Sequence, residues 1–202
     1  RYGLTTGNYL LSVGNRSPNK NLRALINAHA ACGDEVPPLV VVGGNVPGIA
    51  SQAAAGDRVI ALGRVPDCDL RGLYEGASAF VFAALHEGFG IPPLEAMRLG
   101  VPVICARRGA MPEILGDAPL WFDPHDEGEI ARALRGYLYL DREMRRKRVG
   151  LGQKQAEKYC WRESALTMAQ VVAEMLHGLA PRKEVAQASG LKLSVRPIEP
   201  LF

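Results

Sequence analysis

The sequence predicts an α/β fold of three layers around a doubly wound parallel sheet of about six strands. Three observations carry that prediction. Six short apolar runs recur along the chain, and a helix-compatible segment separates most of them from the next. At 202 residues the chain is long enough for one domain with a sizeable core.

The elements follow in order. Tyr9–Val13 reads as the first strand, and a polar turn from Gly14 leads into a helix over Asn21–Cys32. Leu39–Val42 is the second strand, rich in β-branched side chains that fit a buried pleated surface. A short helix is expected over Gly48–Ala55, then the third strand over Val59–Leu62. The next helix is expected over Leu70–Gly76, with Asp67-Cys68-Asp69 as its N-cap. The apolar run Ala77 to Ala84 holds the fourth strand, Ala79–Phe82, and the segment from Pro92 or Pro93 to Leu99 the helix after it. Val103–Cys105 and Leu120–Phe122 complete the sheet, with helices at Pro112–Leu115 and Glu127–Leu140. Two more helices, broken near Tyr159-Cys160-Trp161, run from Asp141 to about Gly178. Periodicity then fails, so residues 1–178 are expected to form one domain and 179–202 a poorly ordered tail or annexed segment.

Composition narrows the function classes. An apolar fraction of 48% with 22% charged residues is that of an ordinary water-facing α/β domain, and no apolar run nears the ~20 residues that span a bilayer. A net charge of +3, with few aromatics and none interleaved with basic residues, argues against nucleic acid as a partner. Cys32, Cys68, Cys105 and Cys160 match no zinc spacing and read as reduced thiols of a cytoplasmic protein. The basic run Arg142 to Arg148 fits a solvated helix face better than a contact with an anionic membrane, which would make the protein peripheral there.

Ligands of an open parallel sheet bind beyond the carboxyl ends of its strands, so the loops after the first, third, fourth and fifth strands should surround one crevice. The richest of these is His86-Glu87-Gly88-Phe89-Gly90-Ile91-Pro92-Pro93-Leu94-Glu95. Glu87 falls in a loop and Glu95 in the first turns of a helix. Gly88 and Gly90 are expected to permit backbone angles and close approaches that a Cβ would block. Free N–H groups at the helix start favour an anion. Carboxylates only accept hydrogen bonds, so Glu87 and Glu95 suit hydroxyls of a sugar and a ribose, leaving a diphosphate to the backbone of Phe89, Gly90 and Ile91. Arg16 and Lys20, after the first strand, carry charges suited to two phosphates; a lysine at a helix start is misplaced unless an anion lies beside it. Gly88-Phe89-Gly90 also opens a dinucleotide-type glycine pattern, but Pro93 stands where the third glycine belongs, which argues against NAD.

These motifs together resemble the family 4 retaining glycosyltransferases of the GT-B fold. The resemblance rests on Glu87-x7-Glu95 around Gly-Phe-Gly, on Ser12-Val13-Gly14-Asn15-Arg16-Ser17-Pro18-Asn19-Lys20, on Val40-Val41-Val42-Gly43-Gly44, on Leu62-Gly63-Arg64-Val65-Pro66 and on Gly109-Ala110-Met111-Pro112-Glu113-Ile114, in that family's order over residues 9 to 124. It implies a Rossmann-like domain that is the C-terminal, donor-binding half of a GT-B enzyme, the N-terminal acceptor domain being absent; the start at Arg1 fits an excised piece. It implies that Glu95 accepts from the ribose, that Glu87 accepts from the transferred sugar, and that Arg16 and Lys20 hold the diphosphate near Gly14. Val65 becomes a backbone contact for the base, its alternative being a strand-end core residue. No cofactor and no metal are expected, so Asp67-x-Asp69 is kept as a cap. The reaction implied is retaining transfer of a hexose from a nucleotide diphosphate sugar to a saccharide or lipid-linked acceptor hydroxyl, in polysaccharide or glycolipid assembly. The forms of the motifs look most like mannosyltransferases, giving GDP-mannose as donor and UDP-glucose as the alternative. A sugar-nucleotide-binding module without transfer activity is the rival reading, and the isolated domain is expected to be inactive.

Overall fold

The computed structural model describes residues 2–15, 17–43 and 58–179, with residues 177–179 by backbone alone. Six parallel strands, β1 (Leu10–Val13), β2 (Leu39–Val42), β3 (Val59–Gly63), β4 (Ala79–Phe82), β5 (Val103–Ala106) and β6 (Leu120–Phe122), form one sheet in the order β3-β2-β1-β4-β5-β6. Leu10 of β1 registers with Leu39 on one side and Ala79 on the other, so the strand order reverses between β1 and β4. A crevice at the carboxyl ends of these two strands follows from that reversal.

Seven α-helices surround the described sheet or follow it: α1 (Leu22–Ala31), α2 (Asp67–Glu75), α3 (Ile91–Arg98), α4 (Met111–Leu115), α5 (Glu127–Leu138), α6 (Arg142–Ala156) and α7 (Trp161–Leu179). The strands stand as the apolar runs predict, to within a residue at their ends. The helix expected over Gly48–Ala55 lies outside the described residues. The chain divides into two compact units, Arg1–Ala156 and Glu157–Phe202, with the sheet in the first and α7 in the second.

Alternation along the buried strands divides the core. Leu10, Leu39, Val41, Ala79, Val81 and Ile104 pack with Leu25 and Ile26 of α1 and Ile130 and Leu134 of α5. Each of the Leu, Val and Ile side chains here, taken fully out of water, contributes on the order of 2 kcal/mol. On β4, Phe80 and Phe82 are stacked 6.2 Å apart, and Phe80 meets Tyr74 of α2 at 5.4 Å. α3 packs on β4, β5 and α6, where buried Gly152 is so near Met97 that a Cβ would stand 3.0 Å from its Cγ.

Two helices differ from the sequence reading, α2 in its start and α6 in the use of its basic run. α2 begins at Asp67 itself with Pro66 at the N-cap and no side-chain cap, so Asp67 and Asp69 are first-turn acids that complement the macrodipole. Asp69 also accepts a hydrogen bond from the Tyr2 hydroxyl at 2.7 Å. The basic run of α6 is partly structural. Arg145 donates to the carbonyls of Leu138, the last residue of α5, and of Leu140 just beyond it, and lies 4.8 Å from the Tyr137 ring; Arg148 donates to those of Ala118 and Pro119. Among the described residues, no helix is long and apolar enough to cross a membrane.

Candidate functional site

The loops after β1, β4 and β5 converge because their backbones are locked together. After β1, the single 3₁₀ turn Pro18–Lys20 brings Asn19 against the β4 loop, where its carbonyl accepts from Leu85 N–H at 2.7 Å and its Nδ2 donates to the His86 carbonyl at 3.4 Å. The Ser17 hydroxyl bonds to the Asn15 and Asn19 side chains. Asn21, in the left-handed region at φ 54°, turns the chain into α1 and donates to the Pro124 carbonyl at 2.8 Å. On the β5 side, the Ala110 N–H reaches the Glu87 carbonyl at 3.4 Å, and a Cβ on Gly109 would stand 2.9 Å from that oxygen.

Lys20 and Glu87 meet at the centre of this junction. Lys20 Nζ forms an ion pair with Glu87 Oε2, the side chains only 20% and 24% exposed, and Nζ lies 5.3 Å from the centre of the Phe82 ring. The anion that a lysine in this position calls for is therefore present, as a carboxylate of the same protein. The Lys20 stem packs 3.8 Å from the place of a Cβ on Gly14, and a cavity of about 20 Å³ lies beside it, among Ser12, Gly14, Asn15, Val41 and Phe82.

The Gly-Phe-Gly turn behaves unevenly. Gly90 caps α3 at φ 86°, and a Cβ there would stand 2.5 Å from Met111 Cε, so both the angle and the space demand glycine. Gly88 demands neither, since a Cβ would meet nothing within 4 Å and its φ is not positive, contrary to the expectation for it. Phe89 is 43% exposed. The start of α3 is poorer in donors than an ordinary helix because Pro92 and Pro93 have no N–H; Leu94 N–H makes the usual first bond of the helix, to the Gly90 carbonyl at 3.4 Å. Ile91 is left as the first-turn donor.

Glu95 lies one turn further along α3 and is half-buried. Its Oε2 accepts from the Tyr74 hydroxyl at 2.9 Å. Burial raises its carboxyl above the ordinary value of 4.5, the Tyr74 hydrogen bond pulls it back, and the Asp67 charge adds a further push upward. Val65 is half-exposed, between Gly63 at φ 65° and the start of α2, and not a core residue. Arg16 lies outside the described residues. Arg108 leans away toward Asp123, with its Nη2 3.3 Å from both carboxylate oxygens. Among the described residues no three His, Cys, Asp or Glu side chains are grouped as a metal site.

The structure thus brings Gly14, Lys20, Glu87, Gly90 and Ile91 to one junction, with Glu95 on the helix that the junction opens. Sequence reasoning misses Asn19 and Tyr74. For Asn19 there is no local signal, because its partners lie 66 and 67 residues away. For Tyr74 the signal is a phenol on the apolar face of a helix, which needs a hydrogen-bond acceptor when buried.

Comparison with known proteins shows the family and the fold. The family model described as Glycosyl transferases group 1 matches residues 3–155. The O-antigen chain mannosyltransferase B of Escherichia coli is 36% identical over 170 residues, 80% of this chain and 44% of that protein. The serotype-specific mannosyltransferase WbdA of Escherichia coli is 32% identical over 168 residues, 78% of this chain and 20% of that protein. The chain therefore spans less than half the length of these relatives. Among solved structures, sucrose-phosphate synthase from Thermosynechococcus elongatus superposes with a TM-score of 0.75 at 25% identity, over 84% of this chain and 46% of that one. Anabaena HepE in complex with UDP-glucose shares the fold with a TM-score of 0.68 at 23% identity, over 85% of this chain and 49% of that one. With the family model covering the whole sheet and the loops that build the junction, this chain belongs to the group 1 glycosyl transferases.

Proposed function

We propose that this domain binds the nucleotide diphosphate part of a sugar donor at the carboxyl ends of β1 and β4, and that the whole protein transfers a hexose from it with retention of configuration. The observation that carries the reading is the Lys20–Glu87 pair: a cation and a carboxylate from two loops, half-buried together at the point where strand order reverses. In this reading the diphosphate takes Lys20 from Glu87, which frees that carboxylate to accept from hydroxyls of the sugar. Arg16 joins Lys20 on the phosphates, and the backbone of Phe89, Gly90 and Ile91 supplies neutral donors. Glu95 accepts from the ribose, and the base meets the backbone at Val65.

As the phosphate–sugar bond breaks, negative charge grows on the departing oxygen, where Lys20 and Arg16 stabilise it without a metal or other cofactor. That oxygen takes the proton of the acceptor hydroxyl on the same face of the sugar. Neither Glu is assigned the acid or nucleophile role of a glycoside hydrolase, because both are occupied in holding donor hydroxyls.

Mannose from GDP-mannose is the donor we favour, and a saccharide or lipid-linked hydroxyl in polysaccharide or glycolipid assembly the acceptor, since the relatives reported above are named as mannosyltransferases. A UDP-glucose donor is the second reading, supported by the ligand of HepE. The acceptor is assigned to the N-terminal half of a GT-B enzyme, and the site of action to the cytoplasm; a peripheral membrane contact through the basic run of α6 is the second reading of that run, after a solvated face.

Calorimetric titration of the chain with GDP, UDP and ADP, repeated on Lys20→Ala, tests the donor site. Tighter binding of GDP, weakened by the substitution, is expected. Binding that ignores Lys20 would refute the placement of the diphosphate. For the reaction, transfer by the full-length protein should disappear in Glu87→Ala; a bound nucleotide with no transfer would leave only a binding module.

A further inference from the structure

We infer that Tyr74, a buried residue of α2 outside the motifs, is the positioning residue for Glu95, holding its carboxylate so that the remaining lone pairs meet the ribose hydroxyls of a nucleoside diphosphate. The inference rests on the donor-site reading above and adds to it a residue from a different helix. Tyr74 is 0% exposed, and its ring is set against Phe80, itself stacked on Phe82, so the phenol has no freedom to swing. Only its oxygen leaves the apolar layer. It donates to Glu95 Oε2 at 2.9 Å, while the Pro92 carbonyl, at 3.4 Å, is the poorer acceptor for the one phenolic proton. A carboxylate offers about four acceptor positions, so Tyr74 uses one and leaves Oε1 and part of Oε2 for a pair of neighbouring hydroxyls. The same bond pulls the Glu95 carboxyl back down against the upward push of its burial. A protonated Glu95 would present a donor where two hydroxyls also need an acceptor.

The test compares ribose and deoxyribose ligands. The chain is titrated calorimetrically with GDP and with its 2′,3′-dideoxy counterpart, or the UDP pair if UDP binds tighter, in wild type and in Tyr74→Phe. Wild type should prefer the ribose form, and Tyr74→Phe should lower that preference roughly tenfold while leaving the dideoxy ligand's affinity unchanged. A Tyr74 that served packing alone would leave the preference as it is or weaken both ligands equally, and either result overturns the inference. Glu95→Ala, which leaves the Tyr74 hydroxyl no side chain to position, gives a second arm. It should reduce the preference by itself, and adding Tyr74→Phe should take nothing further away, because the hydroxyl acts through Glu95. Additive losses would overturn the inference alone. A wild type that binds neither form would overturn the donor-site reading, and the inference with it.

Discussion

The two ends of the sheet both carry charge and use it in opposite ways. At the amino end, Arg58 pairs with Asp34 and donates to the Val36 carbonyl, while Arg135 reaches Glu35 at 2.7 Å and the Ala31 carbonyl at 2.8 Å. These contacts tie off the end of α1 around an open cavity of about 450 Å³ lined by Asp34, Glu35, Pro37, Pro38, Arg58 and Leu138. At the carboxyl end the cavity is about 20 Å³, and Lys20 and Glu87 join two loops that follow different strands. Room is therefore a poor guide to chemistry in this protein. Each amino-end cation is held by a backbone carbonyl as well as by a carboxylate, whereas the carboxyl end keeps a cation and two carboxylates whose partners are side chains, and side chains can exchange partners with a ligand.

The largest contrast should appear in the glycines. A Cβ on Gly43 would stand 1.6 Å from the Gly14 carbonyl oxygen, so Gly43→Ala must push the β1 and β2 loops apart. A loss of about 3 kcal/mol is expected, at the upper end of overpacking effects. Gly33, at the amino end, has φ 56° and nothing within 4 Å of a Cβ. Gly33→Ala should therefore lose only about 1 kcal/mol, from the backbone angle alone. Urea denaturation of both variants measures the difference. Equal losses would mean that the carboxyl-end loops are no more tightly locked than the amino end.

A second contrast is functional. Lys20→Ala should weaken binding of a nucleoside diphosphate by at least about tenfold, the worth of one charge-assisted contact. Arg135→Ala should leave that binding within about twofold and lower stability by less than about 1 kcal/mol, as for other solvent-exposed pairs. Calorimetry and thermal melting on the same two proteins check both statements. Arg135→Ala weakening the nucleotide as much as Lys20→Ala would erase the distinction between the ends.

How far these differences are legible in the sequence depends on distance along the chain. β2 and β4 stand where the apolar runs place them, because each buries both faces and leaves a continuous signal. The Glu87…Glu95 spacing and the left-handed angle of Gly90 are equally local, whereas the Met111 side chain that fills the space beside Gly90 is not. The pairing of Lys20 with Glu87 is not, since it joins residues 67 apart through an ion pair that the parallel crossing of β1 and β4 makes possible. Tyr74 is hidden for a related reason. Its helix reads as an amphipathic segment whether the phenol meets a carboxylate or a main-chain carbonyl, and only α3 packed beside it decides. The start of α2 shows the reverse error, a polar Asp-Cys-Asp reading as a cap where Pro66 already holds the turn.

The smallest expected effect concerns Glu95 and tests whether the carboxyl end gives up stability to keep an acceptor. Its carboxyl titrates above the ordinary 4.5 in the folded protein, chiefly through burial, so between that value and the raised one the folded state binds more protons than the unfolded chain. Stability from this group is then fully present below about pH 4.5 and is lost as pH rises through the folded value. At pH 7 the ionised side chain is a net burden, relieved only in part by Tyr74. Glu95→Gln removes the charge and keeps an oxygen for the Tyr74 hydroxyl, so at pH 7 the variant should melt slightly above wild type, and the gap should close as the pH is lowered toward 4.5. A variant that melts below wild type at pH 7 would show that the hydrogen bonds of the carboxylate outweigh its burial. In that case the acceptor would belong to the fold as much as to the ligand, and the carboxyl end would resemble the amino end after all.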